Sequence, residues 1–308
     1  MREIRSVLLV TNPLSGHGKG VQVGIAAANL FAARGIQVTE VSGESATDTE
    51  NQVRAALADP AARPDAVVAA GGDGLTCVVL QALVGTGVPL GLVPGGTGND
   101  LAREVAIPDE TVAAVDVVLG GKTRTIDLGT VQAEAAARPM WFATVTGTGL
   151  DARVTLRANR MTWPKGPLRY TVAALLELVG KLAVPYRIEV HGSPDHPDGT
   201  VIEQDAIMVA VGNTRTYGGG MLITPDAVID DGLLNLTVVG AMPRRDLLRL
   251  LPALSAGKRI EHPATTQYTA ARFTLTAPDA PATADGDPAG MLPATFIAHP
   301  GALEILVP

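Results

Sequence analysis

The sequence predicts a two-domain protein, a doubly wound α/β domain with a parallel sheet followed by a β-rich domain. Three observations carry this. The chain has 308 residues, more than one domain of ordinary length. Strand-like apolar runs alternate with helical patterns from Ser6 to about Leu119, the signature of a parallel sheet wound with helices. From about Lys122 the texture changes to strand-like runs separated by Gly, Pro and Asp turns. The expected domains are therefore residues 1–122 and 123–308, with the last strand free to return to the first domain.

Taken in order, Ser6 to Thr11 is a continuous apolar run of strand type. It ends in Asn12-Pro13-Leu14-Ser15-Gly16-His17-Gly18-Lys19-Gly20, which looks like a phosphate loop but lacks the Walker spacing, which argues against a P-loop NTPase. A helix over Val21 to Ala33 closes on Arg34-Gly35, a basic last turn and a terminal glycine. Ile36 to Val41 reads as a strand, Ser42 to Thr49 as a polar turn, and Glu50 to Ala58 as a helix. Ala66 to Ala70 and Pro89 to Val93 are short buried strands, each running into a glycine turn, and Asp109 to Leu119 is a helix stopped by Gly120-Gly121. In the second half Thr123 to Val131, Met140 to Thr146, Tyr186 to His191, Val201 to Val211, Leu233 to Val239, Tyr268 to Thr276 and Ala302 to Val307 read as strands. Two helical insertions interrupt them: Leu150 to Leu182, broken at Trp163 to Pro167, and Arg244 to Ser255.

Composition narrows the function classes. Apolar residues are 46% and charged ones 18% of the chain, which suits a globular protein with ample core. A net charge of -7 argues against a general nucleic-acid binder, whose affinity rests on clustered Lys and Arg. Asp151 to Arg187 is an exception, because seven basic residues there face only Asp151 and Glu177, a local +5. Cys77 is the only cysteine, so no internal disulfide and no Cys-based zinc site can form, and a cytoplasmic location is expected. Val7 to Val10 is too short for a signal-peptide core. Thr171 to Val184 carries Glu177 and Lys181 and falls short of a bilayer span. The histidines have no triad spacing and there is no G-x-S-x-G elbow, so hydrolase and zinc chemistry drop out.

Parallel strands of an open sheet present their carboxyl ends to one crevice. Gly71-Gly72-Asp73-Gly74 and Pro94-Gly95-Gly96-Thr97-Gly98-Asn99-Asp100 would then face a shared ligand. Successive glycines let backbone N–H groups converge on an anion, and the following helix adds its positive end. Asp73 inside such a nest repels phosphate unless a cation lies between, which predicts magnesium. Thr97 and Asn99 suit phosphate or ribose oxygens, and Gly95, Gly96 and Gly98 allow close backbone approach. Asp100 reads as an N-cap or turn residue.

The remaining motifs have plainer readings. Gly147-Thr148-Gly149-Leu150-Asp151-Ala152 matches GxGxxA but lies outside any clear βαβ unit, which favours helix packing on a sheet, or cleft lining, over a dinucleotide site. Asn213 to Met221 is a second glycine cluster. Asp230-Asp231-Gly232-Leu233 is a turn whose acids and carbonyls also suit a hard divalent ion. Asp285-Gly286-Asp287 reads as a type I′ or related turn.

Together, and in order, these stretches resemble one family. The Asn12-Pro13 start, Gly71 to Gly74, Pro94 to Arg103, Gly147 to Ala152, Tyr217 to Met221, Asp231 to Leu234 and Asp285 to Asp287 are similar to the soluble bacterial diacylglycerol kinases, relatives of the sphingosine kinases. Ala158 to Pro164 resembles the actinobacterial branch. The resemblance implies ATP bound between an α/β domain and a C-terminal β-sandwich, in the manner of NAD kinase and diacylglycerol kinase folds, and phosphorylation of diacylglycerol to phosphatidic acid. It implies a nucleotide set of Asn12, Ser42, Gly71, Gly72, Asp73, Gly74, Leu75, Gly96, Thr97 and Asn99, and Asp285 as general base. Mg2+ would be held by Asp73 and, at a structural site, by Val228, Asp231 and Leu233.

A lipid substrate implies peripheral contact with an anionic membrane, for which the +5 stretch with Met161, Trp163, Leu168 and Tyr170 is the candidate; a homodimer stays open. The family pattern has Thr after GGDG and Asn-Glu soon after, where this chain has Leu75, Cys77 and Val78, and it ends in Asp-Gly-Glu where this chain has Asp-Gly-Asp. The competing readings are a kinase for another lipid alcohol such as ceramide, an NAD kinase, and a non-catalytic lipid or nucleotide sensor.

Overall fold

The computed structural model describes residues 1–12, 19–164 and 168–308. The loop expected over Pro13 to Gly18 and the helix interruption at Lys165 to Pro167 lie outside the described residues. The chain divides into two compact units, Met1–Leu128 with Pro300–Pro308, and Gly129–His299.

The first unit runs β1 (Ser6–Thr11), α1 (Lys19–Ala33), β2 (Gln37–Val41), α2 (Ala46–Ala56), β3 (Ala66–Gly71), α3 (Asp73–Leu83), β4 (Leu90–Pro94), α4 (Asp100–Glu104) and α5 (Thr111–Gly120). The strands are all parallel in the order β2-β1-β3-β4, and Ile305 pairs beside Leu90. Val7 to Val10, Ala66 to Ala70 and Leu90 to Val93 are buried throughout, as strands covered by helices on both faces must be. α1 packs beside α5 and α2 beside α3. Gly35, at φ 76°, ends α1, and the N–H of Ile36 returns to the Phe31 carbonyl at 3.1 Å, closing the helix in the manner expected of a terminal glycine.

One helix begins earlier than expected. Ser45, read above as part of a polar turn, is the N-cap of α2; its hydroxyl accepts the Asp48 N–H at 3.1 Å. Asp48 in turn accepts the Glu44 N–H at 2.9 Å. The first bond satisfies an N–H that the first turn would leave orphaned, and the second ties the helix to the residue before its cap.

The second unit continues through β5 (Thr123–Ala133), β6 (Met140–Phe142), β7 (Val145–Gly149), α6 (Leu150–Arg160), α7 (Leu168–Glu177), β8 (Val184–His191), β9 (Thr200–Gly212), β10 (Thr216–Tyr217), β11 (Met221–Leu222), β12 (Leu234–Gly240), α8 (Arg244–Ser255), β13 (Thr265–Ala270), β14 (Arg272–Thr276), β15 (Pro281–Ala284), β16 (Asp287–Met291) and β17 (Ala294–Leu306). The unit boundaries fall inside β5 and β17. Pairing within the unit is antiparallel, in the order β16-β15-β7-β9-β8-β14-β17, with β12 joining β9 to β13.

The strand β9 has two buried faces. Ala206, Val209 and Val211 enter a core with Phe142, Phe273 and Phe296. Ile207, Met208 and Ala210 enter another, with Leu150, Leu182, Leu247 and Leu254. The helical insertions therefore cover the sheet rather than protrude from it.

Two expected strands are each divided. Met140 to Thr146 breaks at Ala143 and Thr144, whose N–H groups bind a carboxylate instead of a neighbouring strand. Tyr268 to Thr276 breaks at Ala271, because β13 pairs with β12 while β14 pairs with β8 and β17. The last strand begins at Ala294, well before the expected Ala302, since residues 294–297 pair with β14.

Candidate active site

In the first unit β1 stands between β2 and β3, so the strand order reverses at the β1/β3 boundary. Open α/β sheets bind ligands beyond the carboxyl ends of the strands at such a switch point. The residues beyond those ends are Asn12 after β1, Ser42 after β2, Gly71 to Gly74 after β3 and Gly95 to Asn99 after β4. Nearly all the predicted nucleotide residues thus share one edge of one sheet.

The two glycine turns are built against each other. The Gly95 N–H donates to the Gly71 carbonyl at 2.8 Å, which carries the β3–β4 ladder into the turns. A Cβ on Gly96 would lie 2.5 Å from the Gly72 Cα, so the approach of backbone to backbone requires glycine there. Asn99, at φ 53°, occupies the N-cap position of α4. Its amide brackets Gly96, accepting the Gly96 N–H at 3.0 Å and donating to the Gly96 carbonyl at 3.2 Å. Asp73 spans the two turns, since its Oδ1 accepts the N–H groups of Asp100 at 2.8 Å and Leu101 at 3.4 Å. The expectation for Asp100 changes accordingly: it is the first residue of α4, buried and paired with Arg103 at 2.8 Å.

The other predicted residues divide by exposure. Ser42, Gly74 and Thr97 are exposed. Leu75 is buried, and its side chain lies so close to Gly71 that a Cβ there would meet Leu75 Cδ2 at 2.8 Å. Thr76, which the sequence reading passed over, is buried and lines a small cavity with Gly71, Gly72, Asp73 and Asn99. Its position one helical turn after Gly72 is the signal that could have found it.

In the second unit Asp285 and Gly286 form the turn of the β15–β16 hairpin, with φ 48° and 89°. Positive φ at both central residues is what a type I′ hairpin demands, and for an aspartate it is a costly conformation. The Asp285 Oδ2 accepts the Ala143 N–H at 2.9 Å; Oδ1 accepts the Thr144 N–H at 2.9 Å and the Thr144 hydroxyl at 2.5 Å. Burial pushes this carboxyl above the ordinary range, those hydrogen bonds pull it back only in part, and neighbouring Asp287 pushes it further up.

Asp151, in the first turn of α6, is enclosed and accepts the Tyr217 hydroxyl at 2.8 Å. Burial pushes it up to about 6. The GxGxxA stretch that precedes it follows β7, whose partners β9 and β15 are both antiparallel, so no dinucleotide-type βαβ unit exists there. Asp231 Oδ1 accepts the Leu233 N–H at 2.9 Å in a turn that Val228 precedes. Among the described residues no group of three or more His, Cys, Asp or Glu side chains is placed to hold a metal.

Comparison with known proteins matches both units. Residues 6–131 match the model of the diacylglycerol kinase catalytic domain, and residues 144–307 that of the YegS C-terminal NAD kinase β-sandwich-like domain. The diacylglycerol kinase of Mycobacterium tuberculosis is 42% identical over 307 residues, 99% of this chain and 96% of that protein. A probable YegS-like lipid kinase of Cronobacter sakazakii is 31% identical, over 79% of this chain and 78% of that one. The crystal structure of a diacylglycerol kinase from Bacillus anthracis shares the fold, with a TM-score of 0.70 at 18% identity, covering 100% of this chain and 98% of that one.

Proposed function

We infer the function from one premise: the chain belongs to the family of diacylglycerol kinases and YegS-like lipid kinases. We propose that it transfers the γ-phosphoryl group of ATP to the free hydroxyl of diacylglycerol, giving phosphatidic acid and ADP. The observation that carries this is Asp285, a carboxylate held by three donors in a positive-φ turn and shifted upward by burial. A carboxylate so shifted is a stronger proton acceptor than an exposed one.

Phosphoryl transfer asks a protein mainly for positioning and charge neutralisation. The amides of the Gly71–Gly74 turn and those of Thr97 and Gly98 would hold the phosphates, and Thr97 and Ser42, both exposed, would contribute hydroxyls. As the lipid oxygen bonds to the γ-phosphorus, the bond to the β,γ-bridging oxygen breaks and ADP carries that electron pair away. Asp285 takes the hydroxyl proton.

Asp73, whose Oδ1 takes the Asp100 and Leu101 N–H groups, would bring a single carboxylate, which fits Mg2+, an ion that keeps waters and substrate phosphates as its other partners. When bound, the ion neutralises phosphate charge. The carboxylate of Asp231 with the Val228 and Leu233 carbonyls is likewise a hard-oxygen set, suited to a second, structural ion.

For access to its substrate the protein would dock on an anionic bilayer from the cytoplasmic side. Trp163 and Leu168 are 79% and 64% exposed, and Tyr170, Leu175, Leu176 and Val179 are exposed beside them. Arg160 is exposed, whereas Arg157 is held by Glu177 at 2.6 Å. Replacing Trp163 by Ala together with Arg160 by Glu should weaken sedimentation with phosphatidylglycerol vesicles by about tenfold; undiminished binding would end this part of the proposal. The sensor reading draws on Leu75 and Val78, of which Leu75 is buried against Gly71; ATP binding without lipid-dependent phosphate transfer would favour it. The test of function is radiolabelled phosphate transfer to a lipid panel. Asp285→Asn should retain ATP binding while turnover falls by about 10²- to 10⁴-fold. Turnover near wild type would sink the assignment.

A further inference from the structure

The turn that carries Asp285 is gripped from two sides. From the sheet, Ala143 and Thr144 hold the carboxylate, and the Asp285 N–H donates to the Val145 carbonyl at 3.2 Å. From the helices, the Asn159 side chain, in the last turn of α6, donates to the Gly286 carbonyl at 3.0 Å. Its own carbonyl oxygen accepts the Tyr170 hydroxyl of α7 at 3.4 Å. The amide does both jobs at once, donating through Nδ2 to one partner and accepting through Oδ1 from the other.

The two helices are fastened to each other as well. Glu177 of α7 receives Arg157 at 2.6 Å and Arg153 at 3.3 Å, both from α6. The Gly286 carbonyl therefore leans on a braced helix pair rather than on one mobile side chain.

We propose that Asn159 is a positioning residue for the transfer reaction, fixing the Gly286 peptide and through it the aim of the adjacent Asp285 carboxylate. A turn with two successive positive φ values is conformationally costly at the aspartate. The sheet-side bonds restrain Asp285 and the pairing of Ala284 with Asp287 closes the hairpin, while the bond to the Gly286 carbonyl comes from Asn159. Without the Asn159 bond the Gly286 carbonyl can tilt further, since glycine has no Cβ to limit it, and such tilting shifts the Cα–Cβ direction at residue 285. This inference rests on the role proposed above for Asp285.

The test is steady-state kinetics of Asn159→Asp and Asn159→Ala beside the wild type and Asp285→Asn, with ATP and diacylglycerol in mixed detergent micelles. Asn159→Asp keeps an acceptor for Tyr170 but has no N–H for Gly286, and because it also adds a charge near Asp285 it is read beside the uncharged Asn159→Ala. Both Asn159 variants should lower kcat about tenfold, equivalent to ~1.4 kcal/mol. The KM for ATP and the melting temperature should be unchanged, and the acid limb of the kcat–pH profile should move. If Asn159→Ala fails to fold, the uncharged Asn159→Leu takes its place. Wild-type kcat and pH profile in Asn159→Asp, with Asp285→Asn inactive, would overturn the positioning role and leave the kinase reading intact. A kcat loss matched by an equal rise in KM for ATP would also overturn it. Absence of phosphate transfer to any lipid by the wild type would bring down both.

Discussion

Thr144 meets the Asp285 Oδ1 with its backbone N–H and its hydroxyl together. Burial raises this carboxyl and those bonds lower it, so Thr144→Val should raise it further and move the acid limb of the pH–rate profile to higher pH. Hydrogen bonds to charged groups are worth ~1.5–3 kcal/mol, and a loss of that size at neutral pH should appear in urea denaturation. At Gly96 the added Cβ of an alanine would lie 2.5 Å from the Gly72 backbone and 2.9 Å from the Asn99 amide oxygen. Gly96→Ala should therefore cost ~1–3 kcal/mol of stability and weaken nucleotide affinity in a filter-binding measurement. The sequence allowed close backbone approach to be foreseen at Gly96, but as an approach to phosphate; that the approach is also to Gly72 depends on two turns 24 positions apart, which no local pattern reports.

Among elements, the legible ones are those whose signals are local. α1 ends at the glycine expected of it, and β3 and β4 are the short buried runs they resemble. The start of α2 was also local, a Ser-x-x-Asp cap, but it was overshadowed by the polar character of Ser42 to Thr49. The break between β6 and β7 was not legible, because the residues are uniformly strand-like and the carboxylate that diverts them lies 142 positions along the chain.

A pH dependence belongs to α6. Asp151 is pushed up to about 6 by burial, with the Tyr217 hydroxyl offsetting part of the effect. The folded chain thus holds this proton more tightly than the unfolded one does. The stability it gives is fully present below about pH 4 and is lost as pH rises through about 6. Asp151→Asn should gain on the wild type between pH 4 and pH 7 by on the order of 2 kcal/mol, read from urea denaturation at the two values. An equal difference at both would contradict the burial of that charge.

At the scale of the whole molecule, the first unit was readable because parallel strands must alternate with helices. The pairing in the second unit was not, since antiparallel partners such as β7 and β15 are set by contacts more than 130 positions apart. Charge distribution was readable throughout, as a chain of net charge -7 with one basic stretch. What the whole chain does comes down to which hydroxyl receives phosphate. Labelled ATP offered with diacylglycerol, ceramide and NAD to the wild type and to Asp285→Asn measures it. The wild type should label diacylglycerol as phosphatidic acid, and Asp285→Asn should fall by about 10²- to 10⁴-fold. Labelling of NAD in preference to lipid, or equal rates in the two proteins, would contradict the account.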